Sequence, residues 1–118
     1  MPRAADSAVL ERLYRTIASR RRGDPARSYT ARLFADGTES IAKKLAEEGV
    51  EAALAAAAGD RKALVRESAD VIYHLMVAWA NARVAPRAVY AELARREGTS
   101  GLAEKAARPA KRPRRRST

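Results

Sequence analysis

The sequence contains no cysteine and few aromatic residues: one Phe, one Trp and four Tyr among 118 residues. Lack of cysteine excludes a disulfide framework and any thiolate metal site. With few large side chains and many alanines, the core must be thin and helical, and it gains from burial against a second copy. No window approaches the roughly 18 apolar residues of a membrane span. Met1-Pro2-Arg3-Ala4-Ala5-Asp6 lacks the apolar run of a signal peptide. A soluble, cytoplasmic, single-domain protein is expected. Internal repeats, a glycine-rich phosphate loop and strand-like alternation are also missing.

Acidic charge is scarce at one end only. From Lys105 onward the sequence has seven Lys/Arg and no acid, so of the net +10 the preceding residues carry only +3. The high pI therefore describes the tail rather than the folded part. Residues 108–118, rich in Pro and Arg and without hydrophobes, are expected to be disordered, leaving an all-α domain over residues 1–107.

Helical signals fill that domain. Leu10, Leu13, Tyr14 and Ile17 share one face of a helix from Ser7 to about Arg20, with Asp6 or Ser7 as cap. Arg20-Arg21-Arg22-Gly23-Asp24-Pro25 ends it; this run is either a solvated helix end or a phosphate or nucleic-acid contact. Ser28 can cap a short helix carrying Tyr29, Leu33 and Phe34. Ser28, Thr30 and Arg32 could serve a phosphate, although capping and packing are their plainer use. Thr38 is expected to cap a helix to about Ala58, closed by Gly59. Asp60 caps the next, about Arg61 to Arg83, with Leu64, Val71, Ile72, Leu75, Met76, Ala78 and Trp79 as apolar members. Pro86 opens a last helix with Val89, Tyr90 and Leu93 on its face, and Thr99 to Ala107 adds a frayed turn.

Both central helices carry acids where an apolar stripe should be. Glu48 and Glu51 are three residues apart, Glu47 and Glu51 four, Glu67 and Asp70 three, so each set shares a face. Ile41, Leu45, Ala52 and Ala55 surround the first set, and Leu64, Val71, Leu75 and Ala78 the second. A tight Gly59-Asp60 connection makes the two helices an antiparallel hairpin. Counted outward from that turn, Glu51 faces Glu67 and Glu48 faces Asp70, each pair offset by about 1.5 Å.

Four converging carboxylates require protons, cationic partners or a metal. Oxygen-only ligation suits Mg²⁺ or Mn²⁺, and a single histidine without cysteine argues against zinc. The bland alternative is salt bridging to Lys43, Lys44, Arg61 or Arg66, with Lys44 well spaced for Glu48. His74, the one histidine, reads most simply as a partly buried, hydrogen-bonded core residue. A metal held by such carboxylates can polarise a phosphoryl oxygen. Glu47 is a candidate to take a proton from the attacking water, and Lys43, Lys44 and Arg32 could hold phosphate oxygens.

The Glu-Glu-x-x-Glu at 47, 48 and 51 with Glu-x-x-Asp at 67 and 70 resembles the metal motif of the all-α nucleoside triphosphate pyrophosphohydrolases, the MazG-like superfamily. Ser28-Tyr29-Thr30-x-x-Leu33-Phe34, Gly37, Ile41-Ala42-x-Lys44-x-x-Glu47-Glu48 and Asp70-Val71-Ile72-Tyr73-His74-Leu75 resemble the phosphoribosyl-ATP pyrophosphohydrolase family within it, over about residues 8 to 98. That resemblance implies an all-α fold, an antiparallel hairpin with short flanking helices, dimerising into a helical bundle. It implies Mg²⁺-dependent hydrolysis of phosphoribosyl-ATP to phosphoribosyl-AMP and pyrophosphate, the second step of histidine biosynthesis. Carried over, Glu48, Glu51, Glu67 and Asp70 are metal ligands, Glu47 lies close to the metal or the water, and Lys44 contacts phosphate. Gly49 stands where the family pattern leads one to expect alanine. One rival is a (deoxy)nucleoside triphosphate pyrophosphohydrolase of the same fold, separable by substrate panel. Another is a helical nucleic-acid-binding protein using Lys111-Arg112-Pro113-Arg114-Arg115-Arg116, whose contacts would be non-specific and salt-dependent and would leave the acids unexplained.

Overall fold

The computed structural model describes residues 3–109. Six helices are present, α1 (Ala8–Ser19), α2 (Tyr29–Asp36), α3 (Thr38–Ala58), α4 (Arg61–Asn81), α5 (Pro86–Arg96) and α6 (Gly101–Ala107), with no strand among the described residues. They fall into two compact units that divide between Pro86 and Arg87. The expected disordered tail lies, beyond Pro109, outside the described residues.

In the first unit α3 and α4 make the most extensive contact. Alanine, leucine, lysine and glutamate, all strong helix formers, dominate α3. Gly59 ends it in the left-handed region at φ 69°, its amide donating to the Ala56 carbonyl and that of Asp60 to Ala55. Only glycine adopts this closure at no steric cost. The Asp60 carboxylate then accepts the Ala63 amide at 3.0 Å and caps α4. The chain thus reverses within two residues, as the sequence implied.

The start of α3 differs from expectation. Thr38 is the first helical residue rather than the cap, and Gly37, at φ 95°, links α2 to α3. The Thr38 hydroxyl instead accepts from Asn81 Nδ2 at 2.9 Å, fastening the start of α3 to the end of α4. Asn81 is followed by Ala82 and by Arg83, at φ 59°, with the Val84 amide bonded to the Trp79 carbonyl at 2.8 Å. This is the same helix ending as at Gly59, with an arginine in the left-handed position at a cost of about 1–2 kcal/mol. α1 clamps the same end: Tyr14 donates its hydroxyl to the Val84 carbonyl at 3.1 Å, and Arg21 Nη2 donates to the Ala80 carbonyl at 2.5 Å. One member of the arginine run is therefore spent on a backbone carbonyl.

The core sits at this end of the hairpin. Ile17, Leu33, Ile41, Met76, Val77 and Ala80 form it, and Leu13, Tyr14, Phe34, Tyr73 and Trp79 pack around them. The half nearer Gly59 has no such cover: Val50, Leu54 and Val65 are exposed, as is Ile72 midway along α4. Ile72 was expected among the core residues. Its neighbour Tyr73 packs against the core and bonds Thr30 of α2, while Ile72, turned to another side of the helix, stays open.

The second unit is held differently. Ser100 caps α6 through the Ala103 amide, making the expected frayed turn a helix of seven residues. Arg95 Nη2 lies 2.7 Å from both Glu92 and Glu104, and Arg96 Nε is 3.3 Å from Glu92. The Arg95 hydrogen bond holds the Glu92 carboxyl down to about 2; desolvation opposes it, and the Arg96 hydrogen bond adds to it. Leu93, expected on the packing face of its helix, is exposed.

Candidate active site

The hairpin brings Glu48 of α3 together with Glu67 and Asp70 of α4. One carboxylate oxygen from each lies within 4.8 Å of the others. Glu48 and Glu67 are half-buried and Asp70 is exposed, so the cluster opens to solvent along one side. The acids thus stand at the margin of the apolar stripe rather than within it. Opposite oxygens around Mg²⁺ are about 4.2 Å apart, twice a metal–oxygen distance of about 2.1 Å. Adjacent oxygens are closer, about 3 Å, so the three carboxylates must draw together to share one ion, and an oxygen-only donor set suits Mg²⁺ or Mn²⁺.

Glu51 and Glu47 are exposed and stand outside this group. Counting from the turn paired Glu51 with Glu67, but Glu51 sits one helical turn nearer Gly59 than Glu48, about 4.5 Å along the axis. The three acids close around the level of Glu48 instead. Lys44 Nζ is 3.9 Å from Glu47, both half-exposed, and not paired with Glu48. Arg66 Nε lies 3.9 Å from Glu67 with its own side chain 67% exposed. Such long, solvated contacts contribute at most about 1 kcal/mol. Among the described residues no ion pair holds Glu48 or Asp70, so salt bridging does not account for the cluster.

The model of the family described as phosphoribosyl-ATP pyrophosphohydrolase matches residues 10–97. The chain belongs to the phosphoribosyl-ATP pyrophosphohydrolase family. Among its relatives, the phosphoribosyl-ATP pyrophosphatase of Azospirillum brasilense is 56% identical over 102 residues, spanning 86% of this chain and 92% of the relative. That of Paramagnetospirillum magneticum is 55% identical over 108 residues, 92% and 99% of the two chains. That of Novosphingobium aromaticivorans is 59% identical over 100 residues, 85% and 94%. Membership makes this chain a hydrolase of phosphoanhydride bonds.

Within this member of the phosphoribosyl-ATP pyrophosphohydrolase family, the other candidate residues divide. Lys43 and Arg32 are exposed, on α3 and α2 respectively. Ser28 accepts the Ala31 amide at 3.1 Å and caps α2, and the Thr30 hydroxyl is bonded to that of Tyr73. Both hydroxyls expected near phosphate therefore already serve the fold. His74 is 6% exposed. Its Nδ1 lies 2.9 Å from the Asp70 carbonyl, and because a carbonyl only accepts, Nδ1 carries the proton. This matches the bland reading of His74 as a buried, hydrogen-bonded residue.

Tyr29 and Tyr73 form a group that the helical pattern does not single out. Tyr29 is 51% exposed, and its ring stacks on Tyr73 with centroids 6.3 Å apart and planes 21° from parallel. Tyr73 in turn meets His74 edge-on at 5.0 Å. Burial pushes the Tyr73 phenol up, its bond to Thr30 partly opposing this, so it keeps its proton. The one sequence signal for this group was position: Tyr73 and His74 lie three and four residues beyond Asp70.

Proposed function

We propose that this chain hydrolyses phosphoribosyl-ATP between its α- and β-phosphates, releasing phosphoribosyl-AMP and pyrophosphate, the second step of histidine biosynthesis, in the cytoplasm. The observation that carries this reading is the meeting of Glu48, Glu67 and Asp70 across the hairpin in a chain of this family. Those three residues would hold Mg²⁺, or Mn²⁺, with Glu51 a fourth ligand once its side chain swings toward the cluster. Bound there, the ion supplies positive charge to phosphate oxygens.

The chain's own residues do the rest. Glu47 takes a proton from the attacking water; the water oxygen bonds to phosphorus, the bridging P–O bond breaks, and pyrophosphate leaves with that electron pair. Lys44, its hold on Glu47 long and solvated, is free to turn to a phosphate oxygen, and Lys43 and Arg32 stand as further cationic contacts. Ser28 and Thr30 contribute by shaping α2 beside the site.

The apolar side chains left open on the hairpin support a homodimer. Leu64, Val65, Ala69 and Ile72 line a shallow cleft of about 510 Å³ on α4, and Val50 and Leu54 are exposed on α3. A second copy laid on this face would bury them, making a helical bundle. No helix among the described residues is long and apolar enough to cross a membrane.

The test is pyrophosphate release from phosphoribosyl-ATP with Mg²⁺, after chelation, and after Mg²⁺ is restored. Activity that needs the ion is expected. Preference for a deoxynucleoside triphosphate in the same assay would overturn the substrate assignment. Activity that survives chelation would overturn the metal assignment.

A further inference from the structure

Two hydroxyls flanking Tyr29 are used inside the fold, and Tyr29 between them is not. Ser28 caps α2, Thr30 is tied to Tyr73, and the Tyr29 ring stands out with 51% of its surface exposed. A lone exposed aromatic needs no explanation. This one is backed. Its inner face stacks on Tyr73, and both rings meet the buried His74 edge-on, Tyr29 at 6.4 Å and Tyr73 at 5.0 Å. His74 is anchored in turn on the Asp70 carbonyl. The result is a stiffened aromatic stack with an open side.

Its place is set by the helix. Tyr73 and His74 follow Asp70 by three and four residues, so they occupy the next turn of α4, about 4.5–6 Å along the axis from Asp70. A nucleotide with its phosphates at Glu48, Glu67 and Asp70 carries its base one sugar away from them. Aromatic faces bind bases of any identity, because every base has a π-face.

We propose that the open face of Tyr29, backed by Tyr73 and His74, is the platform on which the heterocyclic base of the substrate stacks. This rests on the reading of the chain as a nucleotide hydrolase. Tyr29 then sets affinity for base-bearing phosphates over base-free ones, while the carboxylates set turnover.

The test uses the full chain and two probes that are not hydrolysed, AMP and ribose 5-phosphate, with affinities measured by calorimetry for the unaltered protein and for Tyr29→Leu and Tyr29→Phe. Tyr29→Leu should weaken AMP binding on the order of 10- to 100-fold and leave ribose 5-phosphate binding unchanged. It should raise KM for phosphoribosyl-ATP by the same factor with kcat retained, and Tyr29→Phe should restore both. Equal AMP affinity in Tyr29→Leu, or equal loss for both probes, overturns the platform. So does a change of oligomeric state with AMP affinity intact. If Tyr29→Leu loses helix content by circular dichroism, Tyr29→Trp decides: AMP affinity at least equal to the unaltered protein supports the platform, and a loss overturns it. Tyr29-dependent AMP binding in a protein that does not hydrolyse phosphoribosyl-ATP would keep the platform and overturn the proposed substrate.

Discussion

The two halves of the α3–α4 hairpin are made from the same pair of helices and are finished in different ways. At the half bearing Ile41 and Met76, α1 and α2 cover the helices and a buried cluster forms. At the half nearer Gly59, Val50, Leu54 and Val65 lie open. Glu48, Glu67 and Asp70 stand between the two, on a stretch that is neither sealed nor fully bare. A carboxylate cluster buried in the closed half would carry a prohibitive desolvation cost. In the open half it would be screened by water and loosely held. The boundary allows semi-rigid positioning with access for a phosphate.

The largest effect that would break this comparison falls on the boundary itself. Glu48→Gln or Asp70→Asn should lower kcat/KM for phosphoribosyl-ATP on the order of 10²- to 10³-fold and weaken Mg²⁺ binding. Helix content by circular dichroism should be retained, because neither residue is in the core. An active Asp70→Asn protein would mean that the acids are a solvated surface feature.

The two halves should answer differently to substitution of an apolar residue. Met76→Ala, at a fully buried site, should cost about 2–5 kcal/mol in denaturant unfolding. Val65→Asp, at a site 73% exposed, should leave the helices intact and shift the protein from dimer to monomer in light scattering. A Val65→Asp protein that remains dimeric would place the interface elsewhere.

A smaller gain is expected at Gly49, beside the cluster. A Cβ there meets nothing within 4 Å, so Gly49→Ala should stabilise α3 by about 1 kcal/mol. Thermal unfolding a few degrees higher would register it. An unchanged or lower midpoint would mean that the space above Gly49 is needed by a second copy or by substrate.

The smallest effect belongs to the second unit. The Glu92 carboxyl is held to about 2 against an ordinary 4.5. A depressed carboxyl contributes fully above its unfolded value and loses that contribution as pH falls from about 4.5 toward 2. The side chain is 45% exposed, so solvent screening keeps this contribution modest. A carbon-detected NMR titration should place the Glu92 midpoint near 2, and Arg95→Gln should return it toward 4.5. A midpoint near 4.5 in the unaltered chain would show that these ion pairs do not persist in solution.

Much of this hairpin was legible in the sequence. Gly59-Asp60 marked the reversal because a left-handed residue followed by a capping carboxylate has few other uses. Helical spacing put Glu48, Glu67 and Asp70 on facing sides, since rise and pitch are properties of the backbone. The count from the turn levels Glu51 with Glu67, yet Glu51 is exposed and outside the three-carboxylate group, because height along the axis does not fix which way around the helix a side chain points. Thr38 read as a cap, yet Gly37 took the junction and left the Thr38 hydroxyl for Asn81, a contact between residues 43 positions apart that no local pattern contains.

The sequence by itself determined the helices, their main turn, the acidic motif and the family resemblance, all of which depend on neighbours within a few positions. Only the tertiary structure decided which apolar residues are covered. Ile72 and Tyr73 are neighbours on α4, and their fates differ because only the side bearing Tyr73 meets α2 there. It also decided that Ser28 and Thr30 are spent on the fold while Tyr29 is left open. Hydroxyls and rings find their partners in three dimensions, and a residue's availability is what remains after those partnerships are made.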